Sequence, residues 1–362
     1  MIDFIRSVLA FIVVLGVLVF FHELGHYLAA RWRGVVVEAF SVGFGPALAS
    51  WTDRHGTVWK ISALPLGGYV KMQGWADLSG ETPEAAAAGS FRSKPLGSRA
   101  IIVAAGPIAN MVLAFLLFMV IFMGAGTPVV QPVVSQLLPH SPAAAAGLRP
   151  GDRITAINGM PVKSFLDIQR EVLDRPGTLM AINYLHHGKP EVAQLTSATR
   201  VVDGRKLGEL GIVGADVTYR RLSPPRAAAA AEQETYKVAA ATLEGLWKLV
   251  SAHQGAKHLG GPLRIAQLSG KAATLGIADF LSFIALLSIN LGLVNLVPIP
   301  ILDGGHLLFY LAEALYGRPL PKRAQEIGLQ IGAAFLAFMI VFVTWNDLGH
   351  LGVVNWVAHL FG

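Results

Sequence analysis

Four stretches of the chain are apolar for long enough to cross a bilayer: about residues 4–29, 101–123, 280–298 and 327–345. A spanning helix needs roughly 20 mostly apolar residues. The pattern between them is different. Residues 35–51, "VVVEAFSVGFGPALASW", and 57–72, "TVWKISALPLGGYVKM", are β-branched and aromatic runs broken by Gly and Pro, the signature of strands. They read either as a small cytoplasmic hairpin or as one dipping into the membrane where protein shields its backbone. Residues 76–90, "ADLSGETPEAAAAGS", read as a tether. Residues 127–220 alternate short strands such as "VVSQLL" and "LMAINYL" with the helical pattern "SFLDIQREVLD", as a soluble domain does. Residues 226–258 read as one helix with Leu243, Leu246, Trp247 and Val250 on one face. It lies on the membrane surface or packs as a connector.

Composition agrees with a membrane protein carrying one polar insert. Hydrophobic residues make up 53% and charged residues only 14%, against about 25% charged in soluble domains. The first apolar run is longer than a signal-peptide core and enters "HELGH" without a small-residue cleavage site, so an uncleaved helix is expected. The chain has no cysteine, which excludes thiolate catalysis and Cys-ligated metal sites. Its net charge of +6 is scattered, and no basic aromatic stretch resembles a nucleic-acid module. Arg31 and Arg33, then Arg92, Lys94 and Arg99, then Arg318, Lys322 and Arg323 flank the apolar runs. By the positive-inside rule the 30–100 and 302–326 loops are cytoplasmic, and both termini and the 124–279 region lie outside.

Candidate chemistry interrupts the first apolar run, in "VLVFFHELGHYLAARWR" at 17–33. Residues four apart on a helix share a face, so His22 and His26 can reach one zinc ion, with Glu23 beside them as a base. Ionisable groups inside a spanning helix are costly and usually functional. A third ligand must come from elsewhere. "NLGLVNLVPIPILDGGH" at 290–306 offers Asp303, beside two glycines, and His306 as its rival. Pro298 and Pro300 interrupt helix there. Asn290 and Asn295 are polar positions in the same apolar run; either can bond a neighbouring helix, and Asn295 can also donate to an oxyanion. Asn110, in "GPIAN" at 106–110, either hydrogen-bonds within the second span or faces substrate. The remaining histidines, His186 among them, read as surface or interfacial residues.

These motifs resemble a known family. HELGH, "GPIAN" and "NLVPIPILDGGH", in this order around the insert, are similar to the site-2 protease family of membrane-embedded zinc metalloproteases. The run "SPAAAAGLRPGDRITAINGMPV" at 141–162 resembles bacterial PDZ domains. The resemblance implies Zn2+ held by His22, His26 and Asp303, with Glu23 as catalytic base and Asn295 near the scissile bond. It implies that Gly43, Phe44, Gly45, Gly67, Gly68 and Tyr69 belong to a membrane-reentrant β element that presents substrate as a strand. The expected fold is a polytopic α-helical membrane protein with four transmembrane helices, a membrane-associated β-hairpin or sheet and an extracytoplasmic PDZ-like α+β domain. The expected division is 1–32, 33–75, 76–100, 101–124, 125–222 (a single PDZ domain, where tandem domains are usual), 223–279 (interfacial and helical), 280–301, 302–326 (a loop), 327–346 and a tail, 347–362. The implied substrates are transmembrane segments of single-span proteins, such as anti-sigma factors and leftover signal peptides, in the bacterial inner membrane. Membrane lipid is an expected partner, nucleic acid is not, and the chain is expected to act as a monomer. Two other classes compete: a membrane scaffold with structural zinc, and a metal transporter, for which the second and fourth spans offer almost no polar path.

Overall fold

This structure, a computed structural model, describes residues 2–75, 87–202, 205–251 and 261–350. The chain forms two units, 1–121 with 224–362, and 122–223. Among the described residues, four helices have the length and composition of a membrane span: Asp3–Trp32, Leu96–Gly124, Ile277–Asn295 and Arg323–Trp345.

In the first unit, α1 (Ile2–Trp32), α2 (Leu96–Gly124) and the helix Ile277–Asn295 meet around Val14, Leu18, Leu113 and Ile284, each at most 5% exposed. A second core joins the C-terminal half of α1 to the strands and to α2 through Tyr27, Val37, Phe40, Ile102 and Val103. Burial of each large side chain here contributes about 1.5–3 kcal/mol against water. Against lipid the gain comes from packing instead, because lipid tails are themselves apolar.

The strands β1 (Val37–Thr52) and β2 (Val58–Met72) are an antiparallel pair that folds over on itself. Ser41 stands opposite Tyr69 on one side and Lys60 on the other, and Val42 opposite Gly68 and Ile61. Each long strand bends halfway, β1 at Gly43 and Gly45 and β2 at Gly67, all with positive φ. Four lanes result, in the order 68–72, 37–42, 58–62 and 47–52. The sequence pattern reads as a hairpin or sheet, and the bend glycines make it a sheet of four lanes. Asp53 fastens the sheet to α1. It accepts from the Tyr27 hydroxyl and the Trp59 indole N–H, both at 3.0 Å, and from the backbone N–H of His55 and Thr57 in its own turn.

The second unit has an antiparallel sheet of β5 (Arg153–Ile157), β6 (Met160–Pro161), β7 (Leu179–His186) and β8 (Lys189–Thr196), in the order β6-β5-β7-β8. Shorter pairs complete it: β3 (Thr127–Val130) with β12 (Val217–Arg220), β4 (Gln136–Leu137) with β11 (Ile212–Val213), and β9 (Ala198–Val202) with β10 (Arg205–Glu209). The short helix α3 spans Pro142–Ala145, and α4 spans Phe165–Leu173 behind a capping box of Ser164 and Asp167. That box satisfies donors the first turn would leave open. Ile154, Ile157, Ile168, Met180 and Ile182 fill the core. His186, which reads as a surface or interfacial histidine, lies 2.7 Å from buried Asp152.

Three boundaries differ from the sequence expectation. The third span ends at Asn295, ahead of the prolines, instead of near 298. The region 223–279 is two helices, α5 (Pro224–Ser251) and α6 (Pro262–Leu275), before α7 (Ile277–Asn295) begins; residues 252–258 of the single helix expected over 226–258 lie outside those described. The 302–326 segment is not a loop: Asp303 opens α8 (Asp303–Tyr316), and α9 (Lys322–His350) follows. Pro298, Pro300 and paired glycines hide a helical start, although an acid in the first turn suits a helix N-terminus. The tether at 76–90 and the tail at 347–362 fall largely on residues outside those described.

Candidate metal centre

His22 and His26 lie one turn apart on the inner face of α1, both under 10% exposed. Asp303 reaches them from the first residue of α8. Its Oδ2 lies 3.2 Å from His22 Nε2, its Oδ1 lies 3.6 Å from His26 Nε2, and the two Nε2 atoms are 3.3 Å apart. Ligands about 2.0–2.1 Å from a tetrahedral zinc ion stand about 3.3 Å from one another. The two imidazole nitrogens, and the carboxylate that turns one oxygen to each, therefore stand 3.2–3.6 Å apart, close to the spacing of ligands around tetrahedral zinc. The donor set, two imidazoles and one carboxylate, also suits zinc better than magnesium or calcium.

Close packing makes room for the rings. An added Cβ at Gly106 of α2 would overlap His26 Nε2 and come within 2.9 Å of His22 Cε1. Only a residue without a side chain lets α2 pass so near the imidazoles. Pro107 follows in the same helix; it has no N–H and loosens the local ladder. The carbonyl of Ile102, a turn earlier, accepts the His26 Nδ1–H at 2.9 Å. That bond leaves Nε2 with its lone pair toward Asp303. At the other side, Cβ atoms on Gly304 and Gly305 would overlap the carbonyls of Leu296 and Ile299. The paired glycines thus let α8 start directly against the turn that ends α7.

The other expected residues divide. Asn295 ends α7, and its amide nitrogen lies 3.4 Å from His22 Nε2. Asn290 instead accepts from Thr242 Oγ1 at 2.7 Å, tying α7 to α5. His306 is not in the ligand group; its ring lies 5.3 Å from that of Trp75. Gly68 packs on α1: an added Cβ would meet Val19 and lie 3.0 Å from Glu23 Cγ. Glu23 and the lane 68–72 are therefore in contact. Gly43, Gly45 and Gly67 form the bends, where Phe44 stacks on Tyr69 with ring centroids 6.1 Å apart. One pair has no counterpart in the sequence reading. Arg99 of α2 makes two hydrogen bonds to Glu313 of α8, at 2.6 and 3.2 Å. Its only local signal is a pair of charges beside apolar runs.

Comparison with known proteins bears on the chain as a whole. The family profile described as "Peptidase family M50" matches residues 10–339. A protein of Agrobacterium fabrum named as a zinc metalloprotease is 43% identical, over 95% of this chain and 96% of its own. One of Rhizobium meliloti with the same designation is 42% identical, over 97% and 96%. The regulator of sigma-E protease of Salmonella typhimurium is 31% identical, over 97% of this chain and 100% of its own. That alignment runs over 455 positions, more than the 362 residues here. Among solved structures, the PDZ domain of an SdrC-like protein of Listeria monocytogenes aligns with 24% of this chain and 87% of its own, at 28% identity and a TM-score of 0.21.

Proposed function

The chain belongs to peptidase family M50 and is an intramembrane zinc metalloprotease; from that premise we propose that it cuts the transmembrane segments of single-span membrane proteins. Anti-sigma factors and leftover signal peptides are the substrate class, received after another protease has removed the outer domain. The observation that carries this reading is the convergence of His22 and His26, inside the apolar helix α1, with Asp303 at 3.2–3.6 Å.

In this reading His22, His26 and Asp303 hold the zinc. When bound, zinc polarises the scissile carbonyl and acidifies the attacking water. Glu23 takes the proton from that water and returns it to the leaving amine nitrogen. The Asn295 amide N–H, which points toward the ligand group, donates to the carbonyl oxygen as charge develops on it. No acyl-enzyme is needed, in keeping with a chain that lacks cysteine.

A helical substrate hides its carbonyls in its own hydrogen bonds, so it must unwind before attack. The lane 68–72 stands at the edge of the sheet, and Gly68 touches Glu23. A substrate added to that edge as a strand would regain its backbone bonds beside the base. Gly43, Phe44, Gly45, Gly67 and Tyr69 shape the bends on which this lane depends.

Around the site, the protein lies in the bacterial inner membrane as a monomer. Both termini and residues 125–222 are periplasmic, and the basic loops cytoplasmic. Leu243 and Trp247 of α5 are 53% and 70% exposed, which favours contact of α5 with the membrane surface. Residues 125–222 act as a single PDZ domain. Its cleft of about 220 Å³ is lined by Phe165, Ile168, Val172, Leu210 and Ile212, and suits an extended apolar peptide end. The scaffold reading needs a fourth ligand for structural zinc; the ligand group has three members among the described residues.

The test is cleavage of a tagged, already trimmed single-span substrate in membranes bearing the native chain or Glu23→Gln, with zinc measured on both purified proteins. Cleavage lost in Glu23→Gln with zinc retained supports the mechanism. Equal cleavage by both removes it.

A further inference from the structure

The second imidazole of the ligand group has its own partner on the neighbouring helix. Asn110 of α2 is 0% exposed, and its amide nitrogen lies 3.3 Å from His22 Nδ1. Its backbone carbonyl accepts from Ser288 Oγ at 2.8 Å, so the residue is held between α1 and α7. Its side-chain oxygen is buried without a hydrogen-bond partner among the described residues.

These facts conflict unless the amide is turned over. His22 faces Asp303 and His26 through Nε2, and a neutral imidazole that ligates through Nε2 carries its proton on Nδ1. An amide NH2 set against that N–H opposes two donors, while the acceptor beside it has nothing to accept. The nitrogen and oxygen of an amide are nearly alike in shape, and their assignment follows from the hydrogen bonds. Half a turn of the amide brings Oδ1 to Nδ1–H and resolves the contact.

We propose that Asn110 is a positioning residue for the metal centre: its amide oxygen accepts the His22 Nδ1–H and fixes the ring in the tautomer and orientation that present Nε2 to zinc. The Ile102 carbonyl does the same for His26, so both histidines are oriented by one helix, α2. The second partner is a side chain, and so it can be replaced. Loss of such an outer partner typically lowers metal affinity by about 10–100-fold.

This inference rests on zinc being held by His22, and the experiment separates the two. Zinc affinity is measured by chelator competition on the purified full chain in detergent, for the native protein and for His22→Ala, Asn110→Leu, Asn110→Ala and Asn110→Asp. Thermal unfolding is followed on each. If His22→Ala binds zinc as the native chain does, the ligand assignment itself fails. Given the expected loss in His22→Ala, the inference predicts affinity about 10–100-fold lower in Asn110→Leu, and near-native affinity in Asn110→Asp, which keeps an acceptor. Asn110→Ala gives the same reading if the leucine variant does not fold. Native affinity in the folded Leu or Ala variant overturns the inference. So does an Asp variant that loses zinc as fully as they do, since packing or the amide donor would then be what matters.

Discussion

Arg99 and Glu313 hold each other through two hydrogen bonds, 2.6 and 3.2 Å long, at positions only 12% and 17% exposed. The pair joins the start of α2, the helix against which both histidines pack, to α8, the helix that Asp303 opens. Arg99 also lies over the Tyr310 ring, 5.1 Å from its centroid. Breaking a pair this sheltered leaves a charge without its partner. Glu313→Gln is expected to destabilise the fold by about 1–3 kcal/mol and to weaken zinc retention, because α8 loses its anchor. Replacing both residues with methionine should do less harm than either single change. Thermal unfolding and zinc content on Glu313→Gln, Arg99→Met and the double methionine variant test this; a double variant as damaged as either single would contradict it.

Asp303→Asn is expected to lower zinc affinity by more than about 100-fold, beyond the usual effect of an outer-shell change. His306→Ala should leave it within a few-fold of native. Metal analysis of the purified variants after dialysis decides between the two residues.

Gly68→Val is expected to abolish cleavage while zinc stays bound. The added Cβ alone would lie 2.6 Å from the Ser41 carbonyl and 2.7 Å from a Val19 methyl, so the lane must move off α1 beside Glu23. Cleavage at the native rate would show that the edge does not present the substrate.

Asp53 gives a pH prediction outside the spanning helices. The Trp59 indole N–H, the backbone N–H of His55 and Thr57 and the Tyr27 hydroxyl hold its carboxyl down at about 2, against the opposing effect of burial. The ordinary value is 3.8, so the folded group binds its proton later than the unfolded one as pH falls. Its contribution is complete above about pH 4 and is lost as pH falls toward 2. Protection of the 53–57 turn against hydrogen exchange should decline through that window in the native chain. It should be low and flat in Asp53→Ala. A native profile flat from pH 5 to 2 would contradict this.

Deleting residues 127–220 distinguishes the two roles open to the PDZ-like unit. A filter predicts that substrates with intact outer domains become cleavable. A docking site predicts that trimmed ones are no longer cut. Cleavage assays with both substrate forms, on protein shown to reach the membrane, read the difference.

Much of this protein was set by local pattern. Helix-length apolar runs make the four candidate spans, because no shorter-range choice competes with burying so many apolar side chains. The spacing of His22 and His26 puts them on one face of α1, because a helix turns about every 3.6 residues. What depended on tertiary structure was everything joined across the chain. Asp303 meets His22 although they stand 281 positions apart in the chain, and His306, three residues further on, is turned to Trp75. Both are chemically fit to bind zinc; the direction in which α8 leaves the α7 turn brings only Asp303 of the two to the histidine nitrogens. The same holds for the sheet, where bend glycines bring Gly68 to Glu23, and for Asn110, whose buried amide meets His22 only once α2 crosses α1. A sequence window records periodicity and propensity. It does not record which side chain of one helix faces which side chain of another, since that follows from packing between segments far apart in the chain.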